Sequence, residues 1–369
     1  MKDPFQKRIE LWFRRMLIQL LGGFFQRKNI LQRNIDFNTC KFLFIRQDRI
    51  GDVLISTPLF GVLKKHYPHA ILDVLLSESN HFVLKNDPLI HTRWLYKKKI
   101  RNIISLIRAL RNERYDFVID LMDNPSTTST VICLLINAKW NVGIDKNNRY
   151  VYDVVVPMLS RRESHIIDRI AQLLTPFQID PQTEKFSIRY SISSQSEEFA
   201  DRFIRQNNMS SHPIIGVNIS AGSDVRFWGV ENFKGLLNHL SKMYPEYKSL
   251  LLYHPSDTQR AHMIAETNQN VVLSPETSSF DQFAAFVKRL TFLITPDTAA
   301  VHLASAFHVG TVVLYVQSDK SLRIWEPYGT DYECIITDVD DLSIIPIEQV
   351  QDALGRLIQR SHKKTEIGV

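Results

Sequence analysis

Four charged residues, Arg46, Asp48, Arg49 and Asp52, crowd the turn "RQDRIGD" between an apolar run and an apolar helical pattern, within residues 40–60. A carboxylate flanked by cations suits a site where a negatively charged acceptor is held beside a general base. Asp52 would be that base. Arg46 and Arg49 would steer the acceptor or, more modestly, pair Asp48. A helix cap is the competing use of Asp52, because an acidic side chain at a helix start satisfies free N–H groups. The cap accounts for Asp52 and leaves the other three charges unexplained. Only Gly51 stands where a dinucleotide fingerprint needs three glycines, which disfavours that ligand here. The glycine is expected to take an unusual backbone conformation that aims Asp52.

Two further loops have phosphate-binding character. In "NISAGSDVRFWGVENF", residues 218–233, Ser220, Ala221 and Gly222 are small enough for backbone N–H groups to approach a phosphate. Arg226 can add a charge-assisted bond. Small residues followed by an arginine are also common in ordinary loops. In "TFLITPDTAAVHLASAF", residues 291–307, a strand ends, Pro296 and Asp297 turn the chain, and a helix runs from Thr298 with Asp297 as the expected N-cap. The free N–H groups of its first turn suit a pyrophosphate. His302 lies one turn deeper, either as a ligand contact or as a satisfied core histidine. Zinc-hydrolase, redox-thiol, serine-hydrolase and P-loop motifs are absent.

The elements that would position these loops alternate between β-rich runs and helical patterns. "KFLFIR", "AILDVLL", "DFVIDLM" and "DVVVPM" read as strands of one parallel sheet, with helices over residues 53–66 and 100–111. A polar interval, residues 180–196, reads as a linker. The alternation then restarts with "PIIGVNI", "SLLLYH", "NVVLS", "TFLIT" and "TVVLYV". The fold expected is α/β, with two Rossmann-like doubly wound domains over residues 41–180 and 197–345 facing a central cleft. A last helical pattern, within residues 346–369, is a candidate to return to the first domain. At 369 residues and 44% hydrophobic, the chain can bury two such cores.

Residues 1–114 hold 22 Lys+Arg against 9 Asp+Glu, a net +13 inside a chain total of +6. A charge-drawn partner of that third is therefore anionic, a solvated basic surface being the alternative. Within residues 1–40, "FQKRIELWFRRMLIQLL" sets an apolar stripe beside basic residues, a helix that can lie on a membrane surface or pack on its own domain. Cys40, Cys133 and Cys334 sit in separate apolar runs and read as buried thiols. No apolar run reaches the length of a membrane span, and a cytoplasmic protein is expected. Nucleic-acid binding by the basic helix near Lys97, with Trp94 and Tyr96 to stack on bases, is disfavoured.

Taken together and in order, "IRQDRIGDVLISTP", "NISAGSDVRFWG", "ITPDTAAVHLASA" and "WEPYG" resemble the signature segments of the lipopolysaccharide heptosyltransferase family, inverting glycosyltransferases of the GT-B type. The resemblance covers roughly residues 41–330. It implies an N-terminal domain that holds the acceptor, an anionic glycolipid or oligosaccharide, and a C-terminal domain that holds a nucleotide-sugar donor, usually ADP-heptose. It puts the catalytic base on Asp52 and the donor diphosphate at Arg226 and the helix start at Asp297 and Thr298, with His302 nearby; Ser220 and Ala221, read from the small residues of their loop, and Ala299 complete the candidate donor-binding set. It also implies catalysis without metal or cofactor, and contact with the inner face of the membrane. Ala299 stands where the family has glycine, and Tyr253, His254, Pro255 and Val316 also depart from its pattern near the donor. A binding protein with impaired catalysis is the alternative these departures leave open.

Overall fold

The computed structural model describes residues 35–266 and 268–367, so the amphipathic stripe within residues 1–40 falls outside the described residues. The chain divides into two compact units between Phe186 and Ser187.

The first unit contains strands β1 (Lys41–Ile45), β2 (Ile71–Ser77), β3 (Thr92–Tyr96), β4 (Phe117–Asp120), β5 (Trp140–Ile144) and β6 (Val154–Val156). Its helices are α1 (Ile50–Leu54), α2 (Thr57–His66), α3 (Ile100–Asn112), α4 (Thr127–Ile136) and α5 (Ile166–Ala171). The strands pair in parallel in the order β3-β2-β1-β4-β5-β6. Helices on both faces bury "FLFI" of β1 on both sides, which is why the run is apolar without alternation. β5 is buried along its whole length and carries Gly143, where a Cβ would overlap the Tyr152 ring.

The second unit repeats the plan. Its strands are β7 (Ile214–Asn218), β8 (Lys248–Leu252), β9 (Val271–Leu273), β10 (Phe292–Pro296), β11 (Gly310–Val316) and β12 (Tyr332–Thr337). They run in the order β12-β11-β10-β7-β8-β9, and every pair is parallel. The helices are α6 (Ser194–Gln206), α7 (Val230–Met243), α8 (Thr258–Ala265), α9 (Phe280–Val287), α10 (Ala299–Ala306) and α11 (Ile347–Ile367).

Each sheet reverses its strand order once, between β1 and β4 in the first unit and between β7 and β10 in the second. Ligands of doubly wound sheets bind at the carboxyl ends of strands beside such a reversal. All three loops singled out in the sequence follow a strand that flanks one.

The structure corrects several boundaries. The helix expected over residues 53–66 is two helices, because Pro58 begins a new one and Ser56 and Thr57 turn their hydroxyls back on the carbonyls of Asp52 and Leu54. Strands β3, β5 and β12 were not apparent in the sequence. The linker's second half packs into the second unit: Ile188 is buried, and Tyr190 and Ser193 bond the carboxylate of Asp281. α11 belongs to the second unit, where its Val350, Ala353, Leu354 and Leu357 join Trp228, Leu236, Val312 and Leu314 in the core.

Candidate active site

In the first unit the charged turn is organised by Arg46. Its side chain is 1% exposed, and its Nε donates to the Asp52 carbonyl at 2.9 Å while Nη1 donates to the Leu121 carbonyl beyond β4 at 2.5 Å. Nη2 lies 3.5 Å from Asp52 Oδ1, and Nη1 lies 3.4 Å from Asp48 Oδ2. The expectation that Arg46 steers an acceptor is therefore corrected: a buried guanidinium with these partners ties the ends of β1 and β4 together and holds the two carboxylates. Arg49 is exposed and keeps the reach that the expectation requires.

Asp52 is the third residue of α1, and its Oδ2 accepts the Arg49 N–H at 3.0 Å. The capping use and the position at the strand-order reversal thus coexist, since its side chain retains 11% exposure. Gly51 is not the conformational pivot expected of it. It lies inside α1, and the positive-φ glycines among the described residues are Gly229 and Gly329. Asn80, in the loop after β2, locks the turn by donating through Nδ2 to the carbonyls of Arg46 and Asp48. Burial pushes the Asp48 carboxyl up to about 6, against the pull of Arg46, with Asp52 and Asp120 adding to the rise.

A second polar group at the same reversal was missed. Asp120 closes β4, fully buried, and its Oδ2 accepts from Ser129 Oγ at 2.9 Å, Tyr152 OH at 2.5 Å and Lys146 Nζ at 3.0 Å. Burial and this carboxylate hold the Tyr152 hydroxyl protonated far above its ordinary range. Three residues on, Asp123 pairs with Arg161 and the buried Arg169. The available signal was the pair of carboxylates at the end of "DFVIDLMD".

In the second unit the loops after β7 and β10 meet. Arg226 Nη1 stands 3.4 Å from Asp297 Oδ2, both about one-third exposed. Beneath them Asn218 Nδ2 donates to Thr295 Oγ1 at 2.9 Å, joining the two strand ends. Ser220 is less open than its size suggested: its hydroxyl donates to Asp257 and accepts the His254 N–H, both at 2.7 Å. Ala221 is half-buried beside it.

Asp297 is not the N-cap of α10. Thr298 is, with its Oγ1 accepting the Ala300 N–H at 3.3 Å, which leaves Asp297 for Arg226. Ala299 is the first helical residue. His302 is buried, its ring centroid 6.5 Å from that of Trp325. Trp228 is also core: it is fully buried, packs edge-on to Phe233, and its Nε1 donates to the Ile345 carbonyl at 2.9 Å.

A D-x-D pair does occur, Asp338 and Asp340, but it is exposed beyond β12 and Asp338 is paired with Lys320. Among the described residues no three His, Cys, Asp or Glu side chains are grouped to hold a metal ion.

Two doubly wound units, each bearing its charged loops at a strand-order reversal, define a GT-B glycosyltransferase fold. Residues 103–343, more than half of the chain, match the sequence profile of glycosyltransferase family 9 (heptosyltransferase), and the chain belongs to that family. It is similar to lipopolysaccharide heptosyltransferase 3 of Escherichia coli, 24% identical over 352 residues that cover 86% of this chain and 99% of the relative. Among solved structures, a family 9 glycosyltransferase from Veillonella parvula superposes with TM-score 0.76 at 21% identity, covering 88% of this chain and 99% of the other. E. coli heptosyltransferase WaaC with ADP-2-deoxy-2-fluoro heptose superposes with TM-score 0.69 at 16% identity, covering 86% and 99%.

Proposed function

We propose that this glycosyltransferase inverts configuration while moving a heptose-like sugar from a nucleotide-sugar donor, ADP-heptose first among them, to an anionic glycan of the lipopolysaccharide type. The observation that carries the donor half is the Arg226–Asp297 pair, which sets a guanidinium at the start of α10. A cation beside a helix N-terminus suits a diphosphate. The names of the relatives support the choice of sugar: one is a lipopolysaccharide heptosyltransferase, and another was solved with an ADP-heptose analogue.

In the proposed reaction an acceptor hydroxyl attacks the anomeric carbon and gives its proton to Asp52. The new C–O bond forms as the bond to the diphosphate breaks, and the nucleoside diphosphate leaves with the electron pair. Arg226 and the N–H groups opening α10 stabilise the charge that grows on the leaving oxygen. Arg46 and the Arg49 N–H orient the Asp52 carboxylate, and exposed Arg49 attracts the anionic acceptor. The reading includes a cytoplasmic location and needs neither metal nor cofactor.

Ala299 favours a second reading. A Cβ at the first residue of α10 crowds a phosphate seated against the backbone there, as in a protein that binds donors without turning them over. A thermal-shift and nucleotide-release screen over ADP-, UDP-, GDP- and CDP-sugars separates the two. The proposal expects an ADP-sugar to stabilise the protein and to release nucleotide when acceptor is present. Stabilisation without release under every acceptor would establish the second reading, and no stabilisation by any donor would contradict both.

A further inference from the structure

We infer that the exposed face of α3 is a docking surface for an anionic phospholipid bilayer. The helix has two apolar sides. Leu106, Ile107 and Leu110 are buried in the first unit, whereas Ile100 is 74% exposed and Ile104, one turn on, is 48% exposed. Around the two isoleucines stand Lys97, Lys98, Lys99, Arg101 and Arg108, and the band continues through Arg111 and Arg114, all exposed. Residues 97–114 thus carry seven cations against Glu113 alone, a net +6, and Glu113 is taken by Lys41.

Folding of the unit does not account for this arrangement. Three lysines precede the helix and no acidic residue lies in its first turn, so the positive end of the helix dipole is loaded with like charge. A surface of anionic headgroups removes that conflict and admits the two isoleucines into the interfacial layer.

Charge complementarity selects this occupant over two others. Residues 1–34 hold eight Lys+Arg against Asp3 and Glu10, the same sign as the α3 face, so charge complementarity does not favour them as its occupant. Single-stranded nucleic acid needs aromatic faces to stack on. Trp94 and Tyr96 pack against the first unit's core instead, and Trp94 Nε1 donates to Tyr115 OH at 2.7 Å. The surface rests on the proposed function only in supplying a place to meet a lipid-borne acceptor, and its test requires no sugar transfer.

The test is co-sedimentation of the full-length protein with vesicles of phosphatidylcholine alone and of phosphatidylcholine mixed with phosphatidylglycerol, at low and physiological salt. The protein should bind the anionic vesicles, more weakly as salt rises, and ignore the neutral ones. Lys97→Glu, Lys98→Glu and Lys99→Glu combined should weaken binding by about a hundredfold or more. Ile100→Ser with Ile104→Ser should weaken it by about tenfold. Both variants should melt no lower than wild type, the lysine variant gaining from relief of the charge conflict at the start of α3. The inference is overturned if wild type ignores anionic vesicles, if neutral vesicles bind equally, if the variants bind like wild type, or if a single-stranded RNA homopolymer displaces the vesicles.

Discussion

Asp48→Asn should stabilise the first unit in proportion to pH, because burial holds the Asp48 carboxyl at about 6 instead of 3.8. The groups that face it are Arg46, which lowers its pKa, and Asp52 and Asp120, which raise it. Its side chain is 24% exposed, so solvent screens only part of the effect. Below pH 3.8 both folded and unfolded chains carry the proton and Asp48 costs nothing. As pH climbs to about 6 the unfolded chain ionises first, and above that the folded chain carries the whole penalty of a buried charge. The gap between 3.8 and about 6 corresponds to about 3 kcal/mol. The advantage of Asp48→Asn over wild type should therefore grow by that order between pH 4 and pH 7. Urea unfolding of both proteins across this range, followed by circular dichroism, measures it on the transition that the substitution moves. An advantage that stays flat with pH, or shrinks, refutes the placing of Asp48 as a buried carboxylate sharing the Arg46 guanidinium.

Two further substitutions test the donor loops. Arg226→Ala removes the cation at the α10 start and should raise the donor KM by about tenfold to a hundredfold, the range of one charge-assisted bond, with Arg226→Lys recovering part of the loss in steady-state kinetics. Ala299→Gly should lower the donor KM while costing about 0.5–1 kcal/mol of stability in thermal unfolding, since glycine frees the approach to the backbone and weakens the helix. A donor KM that stays unchanged or rises while stability falls would show that the Cβ does not crowd a phosphate.

Much of the fold was legible because buried parallel strands leave long apolar runs such as "FLFI" and "LLL", and the loops after them carry the charges. β3 and β12 were not, since these edge strands mix polar and apolar residues along half-exposed backbones. The amphipathic pattern of α11 shows that one face must be buried and not against what. Arg46 misled for a related reason: an arginine ending a strand reads as a surface group, and only the pairing of β1 with β4 brings the Leu121 carbonyl under it. The Asp120 network was invisible as a set because Ser129, Lys146 and Tyr152 lie 9, 26 and 32 residues away and are gathered by β4, α4 and β5. Arg226 and Asp297, 71 residues apart, were each identified as donor-site candidates, and the parallel pairing of β7 with β10 joins them. The cap at Thr298 was misplaced by one residue, and that residue decides whether Asp297 caps the helix or pairs with Arg226.

The central claim is that Asp52 takes the proton of the acceptor hydroxyl, and comparison of wild type with Asp52→Asn in one transfer assay tests it most directly. With a nucleotide-sugar donor and a glycolipid acceptor, quantified by mass spectrometry of the glycosylated product, Asp52→Asn should lose about 100- to 10,000-fold in kcat. Donor binding by calorimetry should stay unchanged. Turnover by Asp52→Asn at the wild-type rate would contradict the account.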